Sequence, residues 1–507
     1  MFWTILIAVV GLVLFYFLTK RSMKKPKGRK IPGPPGRSIV GCALEIQPEN
    51  IHMKFTEYAE KYGDIVQIRM FSQNIIILNE EKLIKRTFTN ENFCDRAGMF
   101  YGKHFRAGNR SVTFIEEGNS AFQKVAKKAY IHALHTYGTG IYKLEATVRK
   151  ELSNFVATLT RFDGKPFDVT QTLGRSLSNV MSLALSGELL STDDTDDTTA
   201  DLFWQHVRAN DFFLNAANDM ILTTFPFLRF MPGKLGNEYR LGKAVNAKIS
   251  KRYFYDIKKT HVPGVHRGIV DWYLDEQKKQ KESGSEVVFT DEEIIAQIVE
   301  SIDAGLTTSS STLTTTILVL MNHPEIQAKI QAEIDRVIKD AEPEAADRDE
   351  CVYFKAFELE LHRFAPTLPI TLPRLCRRHI EYDGYDIPAN SVLFGNLWKI
   401  QHDEKVWGDP WNFRPERFID GEGNLLAKEH PLYKNLMPFG IGQRICPGEK
   451  FARVRYFLYL STMLQRWTLT FPEGVHMSCD PRDSKSFAPS LIFRTRPFKC
   501  CAIPRKK

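Results

Sequence analysis

The stretch Phe439-Gly440-Ile441-Gly442-Gln443-Arg444-Ile445-Cys446-Pro447-Gly448 places a single cysteine among three glycines and a proline, just before an apolar helical pattern. Gly440 and Gly442 allow positive φ, so the backbone can form a tight loop and approach a bound group closely. The N–H groups of such a loop are unpaired, and the following helix presents its positive end. Both features favour the thiolate form of Cys446, which is the form that binds a metal.

The number of ligands narrows the choice of metal. A lone cysteine without a neighbouring Cys or His does not make a structural zinc site, because such a zinc takes four protein ligands. A haem iron needs one axial ligand from the protein, and the Arg444 guanidinium can pair with a haem propionate. A buried structural cysteine would account for Cys446 taken alone. The ten residues together predict a haem whose axial ligand is Cys446.

The stretch resembles the haem-binding loop of the cytochrome P450 family, whose pattern is F-x-x-G-x-R-x-C-x-G. Every fixed position matches: Phe439, Gly442, Arg444, Cys446 and Gly448. The resemblance implies a mainly α fold with a small β region (α+β) and a b-type haem, iron protoporphyrin IX, with Cys446 as its thiolate ligand. It also implies haem contacts from Phe439, Gly440, Arg444 and Gly448.

Length and charge describe one large domain behind a short N-terminal segment. The chain has 507 residues, with no internal repeat and no long low-complexity linker after residue 40. The formal net charge is +9, and seven of these charges form a cluster without acids: Lys20, Arg21, Lys24, Lys25, Lys27, Arg29 and Lys30. The remainder is near neutral, at about +2, which argues against a nucleic-acid partner. The eight cysteines are sparse, as in a reducing compartment.

The N-terminus predicts a membrane anchor. Residues 2–18 form an uncharged, mostly apolar run, which as a helix would be roughly 26 Å long and just span the hydrocarbon core. The basic cluster follows this run, so the body of the protein should lie in the cytosol. A cleaved signal peptide is the alternative, but the run lacks a positive start and a small-residue cleavage site. We expect a signal-anchor helix in 1–20, a basic Pro/Gly-rich hinge in 21–40 and the haem domain in 41–507, in an endoplasmic reticulum membrane as the resemblance implies.

Periodicity predicts the main elements of the body. Residues 64–79 read as a β-hairpin, 118–190 as helical, and 487–504 as strands. The aromatic segment 210–233 allows two interpretations. It packs in the core, or it covers the substrate entrance and touches membrane lipid, as the resemblance implies.

The longest predicted helix spans residues 290–322, with Thr290 as its N-cap. Its centre, Ala304-Gly305-Leu306-Thr307-Thr308-Ser309, is similar to the family pattern A-G-x-(D/E)-T-(T/S). Thr308 can bond back to the Ala304 carbonyl, which loosens the helix and admits water. We expect Thr308 to bring protons to the reacting dioxygen in this way.

The proton relay departs from the family pattern at one position. Thr307 stands where the family has an acid, and the nearest carboxylate on the helix is Asp303. Asp303 can relay protons, bind a polar end of the substrate, or simply be a capped carboxylate in contact with solvent. We therefore treat Thr308, Asp303 and Thr307 together as the candidate catalytic residues.

A second departure concerns the haem propionates. The family usually has Trp-x-x-x-Arg on its first long helix, whereas this chain has Phe122 or Gln123 near the Trp position and lysines nearby. We expect Lys127 and Arg374 to contact the propionates. Lys124, Lys127 and Lys128 also form a solvated face or a docking face for an acidic partner.

Two further sets of residues follow from the resemblance. Glu360 and Arg363 lie on one helix face, and with Arg417 they would form a buried charge network that supports the haem loop. The substrate pocket would be lined by Ala304, Gly305, Thr367, Leu368, Ile370 and Phe487.

These features predict a haem-thiolate monooxygenase similar to microsomal animal enzymes that oxidise steroids, fatty acids and foreign lipophiles. Electrons would come from NADPH through a separate cytochrome P450 reductase, because the chain has no G-x-G-x-x-G loop and no flavin domain; cytochrome b5 is a second candidate donor. One alternative is a haem-dependent isomerase or dehydratase of lipid peroxides. The other is a non-enzymatic haem- or lipid-binding membrane protein.

Overall fold

A computed structural model describes most of the chain, in six ranges: residues 28–37, 40–47, 49–136, 141–190, 198–488 and 491–506. The predicted anchor in residues 1–20 lies outside the described residues, as does the beginning of the predicted hinge. Within the ranges that are described, no helix is both long and apolar enough to cross a membrane. The visible end of the hinge lies along the first sheet, where the Gln67 N–H donates to the Pro32 carbonyl at 2.8 Å.

Helices make up most of the described chain. Their bounds are α1 Ile51–Tyr62, α2 Glu81–Thr89, α3 Phe100–Phe105, α4 Ala121–Thr136, α5 Ile141–Phe162, α6 Val169–Ser186, α7 Thr198–Leu214, α8 Ala216–Thr224, α9 Lys234–Ser250, α10 Asp256–Lys259, α11 Ile269–Glu282, α12 Asp291–Asn322, α13 Pro324–Val337, α14 Val352–Phe364, α15 Leu397–Gln401, α16 Glu404–Trp407, α17 Pro431–Lys434 and α18 Glu449–Arg466.

The strands are short: β1 Ile65–Met70, β2 Gln73–Leu78, β3 Phe167–Asp168, β4 Arg374–Cys376, β5 Ile380–Tyr382, β6 Tyr385–Ile387, β7 Ser391–Gly395, β8 Trp467–Thr470, β9 Phe487–Ala488, β10 Arg494–Thr495 and β11 Lys499–Pro504. They form a four-stranded sheet of order β1-β2-β7-β4, a three-stranded sheet β3-β11-β8 and two two-stranded sheets. In the first sheet only β2 and β7 pair in parallel. The mainly α fold with small sheets is therefore confirmed.

The predicted β-hairpin is present. β1 and β2 pair from Ile65 with Leu78 to Met70 with Gln73. A run of β-branched residues in each strand indicates it, and β2 is buried continuously from Ile75 to Leu78. The turn lies at Phe71-Ser72, with Phe71 at a φ of 51°.

The predicted helical region 118–190 contains three helices and a strand that the sequence did not reveal. α5 ends at Phe162, and the chain turns through Gly164, whose φ is 75°. The segment then forms β3, which pairs with β11 from the far end of the chain. Because its partner strand lies about 330 residues later in the sequence, local periodicity does not reveal this strand.

α12 runs through the core and is the element around which the site is built. Thr290 and Glu293 form a capping box, and three acids occupy the first turn, where the helix dipole favours them. The helix ends at His323, just before Pro324, which begins α13. It packs against α6, α7 and α18. The predicted bounds 290–322 are confirmed to within one residue.

Candidate haem-binding and catalytic site

The loop that carries Cys446 has the backbone that its glycines allow. Gly440 and Gly442 have φ of 76° and 72°, and a Cβ on Gly442 would meet the Phe88 carbonyl at 2.3 Å. The Cys446 N–H donates to the Phe439 carbonyl at 2.9 Å, which closes the loop. Gly442 therefore cannot be replaced without moving α2 or the loop.

Cys446 faces the main cavity of the described chain, and Thr308 lines the same cavity. Its side chain is open to this cavity although protein surrounds the site. Burial raises the pKa of the Cys446 thiol, against the lowering effects of the Gly448 backbone N–H and of Lys127. Without a metal ion, burial thus outweighs the effects of the loop that favour the thiolate. A bound metal ion supplies what is missing, because coordination deprotonates a thiol.

Six lysine and arginine side chains line the same cavity: Arg96, Lys127, Arg374, Arg444, Arg453 and Arg455. Burial, followed by the charge of Arg444, lowers the pKa of Arg374 to about 9. Burial likewise lowers the pKa of Arg444 to about 10. Burial and the charges of Arg374 and Arg444 together lower the pKa values of Arg96 and Lys127. The cavity thus holds more buried positive charge than its own walls neutralise.

The hydrogen bonds of these side chains show which of their donors lack an acceptor. Arg374 Nη2 donates to the Ile441 carbonyl at 3.2 Å, while its Nε and Nη1 are buried without a partner. The Arg444 guanidinium donates hydrogen bonds to the backbone carbonyls of Cys94, Val112 and Ile115. Lys127 Nζ donates to the Gln443 carbonyl at 2.5 Å, which links α4 to the cysteine loop.

These residues fit a haem. Two carboxylates would satisfy the unpaired donors of Arg374 and offset the clustered cations, and an iron would take the Cys446 sulfur. Arg96 was not found from the sequence. It lies in the connection between α2 and α3, far from the cysteine loop in sequence. No local motif marks an arginine whose guanidinium donates to the Pro373 carbonyl at 2.6 Å.

α12 presents an open stretch to the cavity. Ala304, Gly305 and Thr308 all line it, and the Thr308 hydroxyl donates to the Ala304 carbonyl at 2.6 Å. This is the bond that the sequence predicts. Thr312, one turn further, exchanges a 3.0 Å bond with Thr367. Thr307 is buried and lies outside the cavity lining.

Asp303 has internal partners instead of a place in the cavity wall. It pairs with the fully buried Arg106, lies 3.0 Å from His206 Nε2, and accepts a bond from Tyr101 at 3.2 Å. These partners belong to α3, the residue after it, and α7. The acid that does line the cavity is Glu300, one turn upstream. Burial raises the pKa of Glu300, and its Oε2 has no hydrogen-bond partner.

The expected pocket residues divide into two groups. Thr367 and Leu368 line the cavity, with Ala304 and Gly305. Ile370 and Phe487 lie outside the lining. Ile370 packs with the residues of the first sheet, and Phe487 stacks on Phe493 with ring centroids 4.9 Å apart.

The three residues of the expected charge network meet in the interior. Arg363 donates from Nε and Nη2 to Glu360 at 2.8 and 2.7 Å, and Arg417 Nε donates to the same carboxylate at 3.3 Å. Arg363 Nη1 also holds the carbonyls of Gln401 and Pro410. The network ties α14 to the segment that precedes the cysteine loop.

The lysines of α4 border a surface groove beside the cavity. It is lined by Gln123, Lys124, Lys127, Lys128, Ile131, His132 and Gln443. Gln123, Lys127 and Gln443 line both this groove and the haem cavity. Phe122 instead packs on Phe289, so Gln123 is the residue that occupies the place next to the cavity.

A cysteine facing a cavity rich in buried cations, beneath a helix with an open threonine turn, defines a haem-thiolate protein. The Cytochrome P450 family model matches residues 31–502, and the chain belongs to the cytochrome P450 family. Membership makes it a haem-dependent monooxygenase, with the cysteine-thiolate ligation that the family implies.

Three mammalian proteins are similar in sequence to this chain over nearly its whole length. "Cytochrome P450 2D4" of Rattus norvegicus is 29% identical over 511 residues, covering 99% of this chain and 98% of that protein. "Cytochrome P450 2D14" of Bos taurus is 28% identical over 502 residues, with 98% and 97% covered. "Vitamin D(3) 25-hydroxylase" of Sus scrofa is 28% identical over 501 residues, with 98% and 97% covered.

Proposed function

We propose that this chain inserts one oxygen atom from O2 into a small lipophilic substrate, of the steroid, fatty-acid or xenobiotic kind. NADPH would supply the electrons through a cytochrome P450 reductase. The observation that carries the proposal is that Cys446 and the Thr308 turn line one cavity. A bound haem supplies oxygen activation there, and its thiolate ligand favours O–O cleavage.

The residues of the chain would divide the remaining work. Arg374, Lys127 and Arg96 hold the carboxylates of the cofactor, and Cys446 fixes the metal. Thr308 keeps its hydroxyl on the Ala304 carbonyl, where it can hand a proton into the cavity through water. Leu368, Leu372 and Leu397 supply apolar wall, which suits a lipophilic substrate. The printed name of the porcine relative, a vitamin D(3) hydroxylase, supports a substrate of this kind.

The electron donor would dock at the lysine groove of α4. Lys124, Lys128 and Lys450 are exposed or partly exposed near the cysteine loop, and an acidic partner would bind such a face. Because Gln123 and Gln443 separate this groove from the cavity, a donor seated there would be close to the cofactor. Cytochrome b5 is a second candidate for the same face.

The N-terminal run 2–18 would anchor the protein in the endoplasmic reticulum membrane, with the body in the cytosol. The support is the sequence itself: an uncharged run followed by seven basic residues. Protease treatment of intact microsomes tests this arrangement. Digestion of the body from outside is expected, and full protection would contradict it.

One reconstitution decides among the functions. Protein expressed with haem is examined as its reduced carbon monoxide complex, then combined with reductase, NADPH and a panel of steroids and fatty acids. We expect a thiolate-type band and substrate-dependent oxygen consumption. Turnover of a lipid hydroperoxide without NADPH would favour the isomerase, and a band without any turnover would favour a binding protein.

Replacement of Thr308 by alanine is expected to leave haem binding intact and divert electrons from product to hydrogen peroxide. The physical reason is that alanine cannot hold the hydroxyl contact to Ala304 or pass a proton. Peroxide formed per NADPH should rise several-fold while the carbon monoxide band is unchanged. Thr316→Ala, further along α12 and outside the cavity lining, is the matched control. Unchanged coupling in Thr308→Ala would count against the relay.

A further inference from the structure

Arg455 is a buried arginine that the proposed reaction has not yet used. It lies on α18, nine residues after Cys446, and lines the same cavity. Its Nη2 donates to the Gly305 carbonyl at 2.8 Å and to the Ser309 hydroxyl. These two acceptors flank Thr308 on α12. One guanidinium therefore connects the helix that follows the cysteine ligand to the turn that carries the threonine.

The charge of Arg455 has no counter-charge. Among the described residues, no carboxylate lies within ion-pair distance of it, and its Nε is buried without a partner. Its other neighbours are the Phe451 ring, 4.6 Å from Cζ, and Met181 Sδ, 3.7 Å from Nη1. Burial lowers the pKa of Arg455 to about 10, so it is still charged at neutral pH.

Comparison with Arg363 shows how unusual this is. Arg363 is equally buried, yet two of its donors meet the Glu360 carboxylate. A buried charge without such a partner is costly, and an apolar side chain of α18 could fill the space more cheaply. It also differs from the cations around Arg374, which the cofactor's own carboxylates would neutralise. An uncompensated cation kept at this position points to a functional role.

We propose that Arg455 is a positioning residue for the monooxygenase reaction, with an electrostatic and a geometric task. It rests on the proposed function. Ferric haem gains one electron from its donor on reduction, so its net charge falls by one. A fixed cation lining the same cavity favours that reduced form. Nη2 of the guanidinium also holds both Gly305 and Ser309, which fixes the turn that presents Thr308.

Four variants separate these tasks. Arg455→Met removes the charge and both bonds at similar length, whereas Arg455→Lys keeps the charge but its shorter side chain ends before the position that Nη2 takes between the two acceptors. Ser309→Ala removes one acceptor and leaves the cation. Arg466→Met, at the exposed end of the same helix, is the control for loss of a positive charge outside the cavity.

The first measurement is the midpoint reduction potential of the haem-loaded protein, titrated with dithionite in a spectroelectrochemical cell. We expect a more negative potential for Arg455→Met and an unchanged one for Arg455→Lys, Ser309→Ala and Arg466→Met. An Arg455→Met potential equal to wild type, or an equal shift in Arg466→Met, would overturn the electrostatic task. If Arg455→Met does not retain haem, Arg455→Gln replaces it with the same expected direction.

The second measurement is hydrogen peroxide formed per NADPH with reductase present. We expect it to rise at least about twofold in Arg455→Lys and in Ser309→Ala, although their potentials do not move. Unchanged values in both variants would overturn the geometric task. A wild-type protein without a thiolate-type band would refute the proposed function itself. If the wild-type protein turns over and the Arg455 variants have unchanged potentials and unchanged peroxide yields, only this inference is refuted.

Discussion

Replacement of Cys446 by serine is expected to abolish the thiolate-type carbon monoxide band of the reduced protein, together with NADPH-dependent oxidation. A serine hydroxyl gives up its proton far less readily than a thiol and is a poor ligand for iron. The lysine and arginine side chains that line the cavity are untouched by the change, so some haem should still enter. What is lost is the sulfur–iron bond that sets the spectrum and the chemistry.

The matched control is Cys501→Ser. Cys501 is another free cysteine, but it is buried in β11 and lies outside the cavity lining. We expect this variant to keep both the band and the activity. A normal band in Cys446→Ser would mean that another residue ligates the iron, and the assignment of Cys446 would then be wrong.

The parts of the site that could be predicted from the sequence are local. The cysteine loop depends on the positive φ values of Gly440 and Gly442 and is closed by the bond from the Cys446 N–H to the Phe439 carbonyl, seven residues earlier. The bond from Thr308 to Ala304 spans a single helical turn. Because backbone geometry alone decides such contacts, a motif and its spacing are enough to describe them.

The parts that could not be predicted depend on which distant segments meet. Asp303 looked like the available acid because it adjoins Ala304, but Arg106 and His206 occupy it. Glu300 is open to the cavity only because α12 turns that face inward. Arg455 gained its significance only from its contact with Gly305, 150 positions away. Side-chain direction on a buried helix is settled by packing, which a single sequence does not display.

The departures from the family pattern affect the charge around the cofactor. Where a tryptophan and an arginine are usual on the first long helix, the cavity wall contains Gln123 and Lys127. Where the helix pattern has an acid, Thr307 is buried away from the cavity. Six lysine and arginine side chains, including Arg455, line the cavity. The cofactor is thus expected to sit among more positive charge than the motif alone suggests.

Replacement of Glu360 by glutamine is expected to cause a large loss in the free energy of unfolding. In Glu360→Gln the carboxylate that receives Arg363 and Arg417 disappears, and both guanidiniums remain buried. An unbalanced buried charge costs on the order of 3–5 kcal/mol. We expect a loss of that size in the apparent free energy of unfolding, measured by urea denaturation of the haem-loaded protein.

A surface ion pair next to the network provides the control. Lys329 pairs with Glu416 at 2.6 Å, but both side chains are exposed to solvent. Screening and side-chain entropy limit such a pair to about 1 kcal/mol or less, so Lys329→Ala should change the free energy of unfolding little. Equal losses in Lys329→Ala and Glu360→Gln would show that burial of the network contributes nothing.

The same experiment also tests whether the network supports the haem loop. α14 contacts that loop through the His362 ring, 5.7 Å from the ring of Phe439, and it contacts α18, which follows the loop, through the bond from Arg453 to Glu358 at 2.6 Å. If Glu360 holds α14 in place, haem absorbance and tryptophan fluorescence should be lost at the same, lower urea concentration. The double variant Glu360→Leu with Arg363→Met should lose less than the sum of its single changes, because it removes both charges of the pair, and Arg417 still has Asp409 as its ion-pair partner. Strict additivity would mean that the two residues do not act as a pair, whatever their distance.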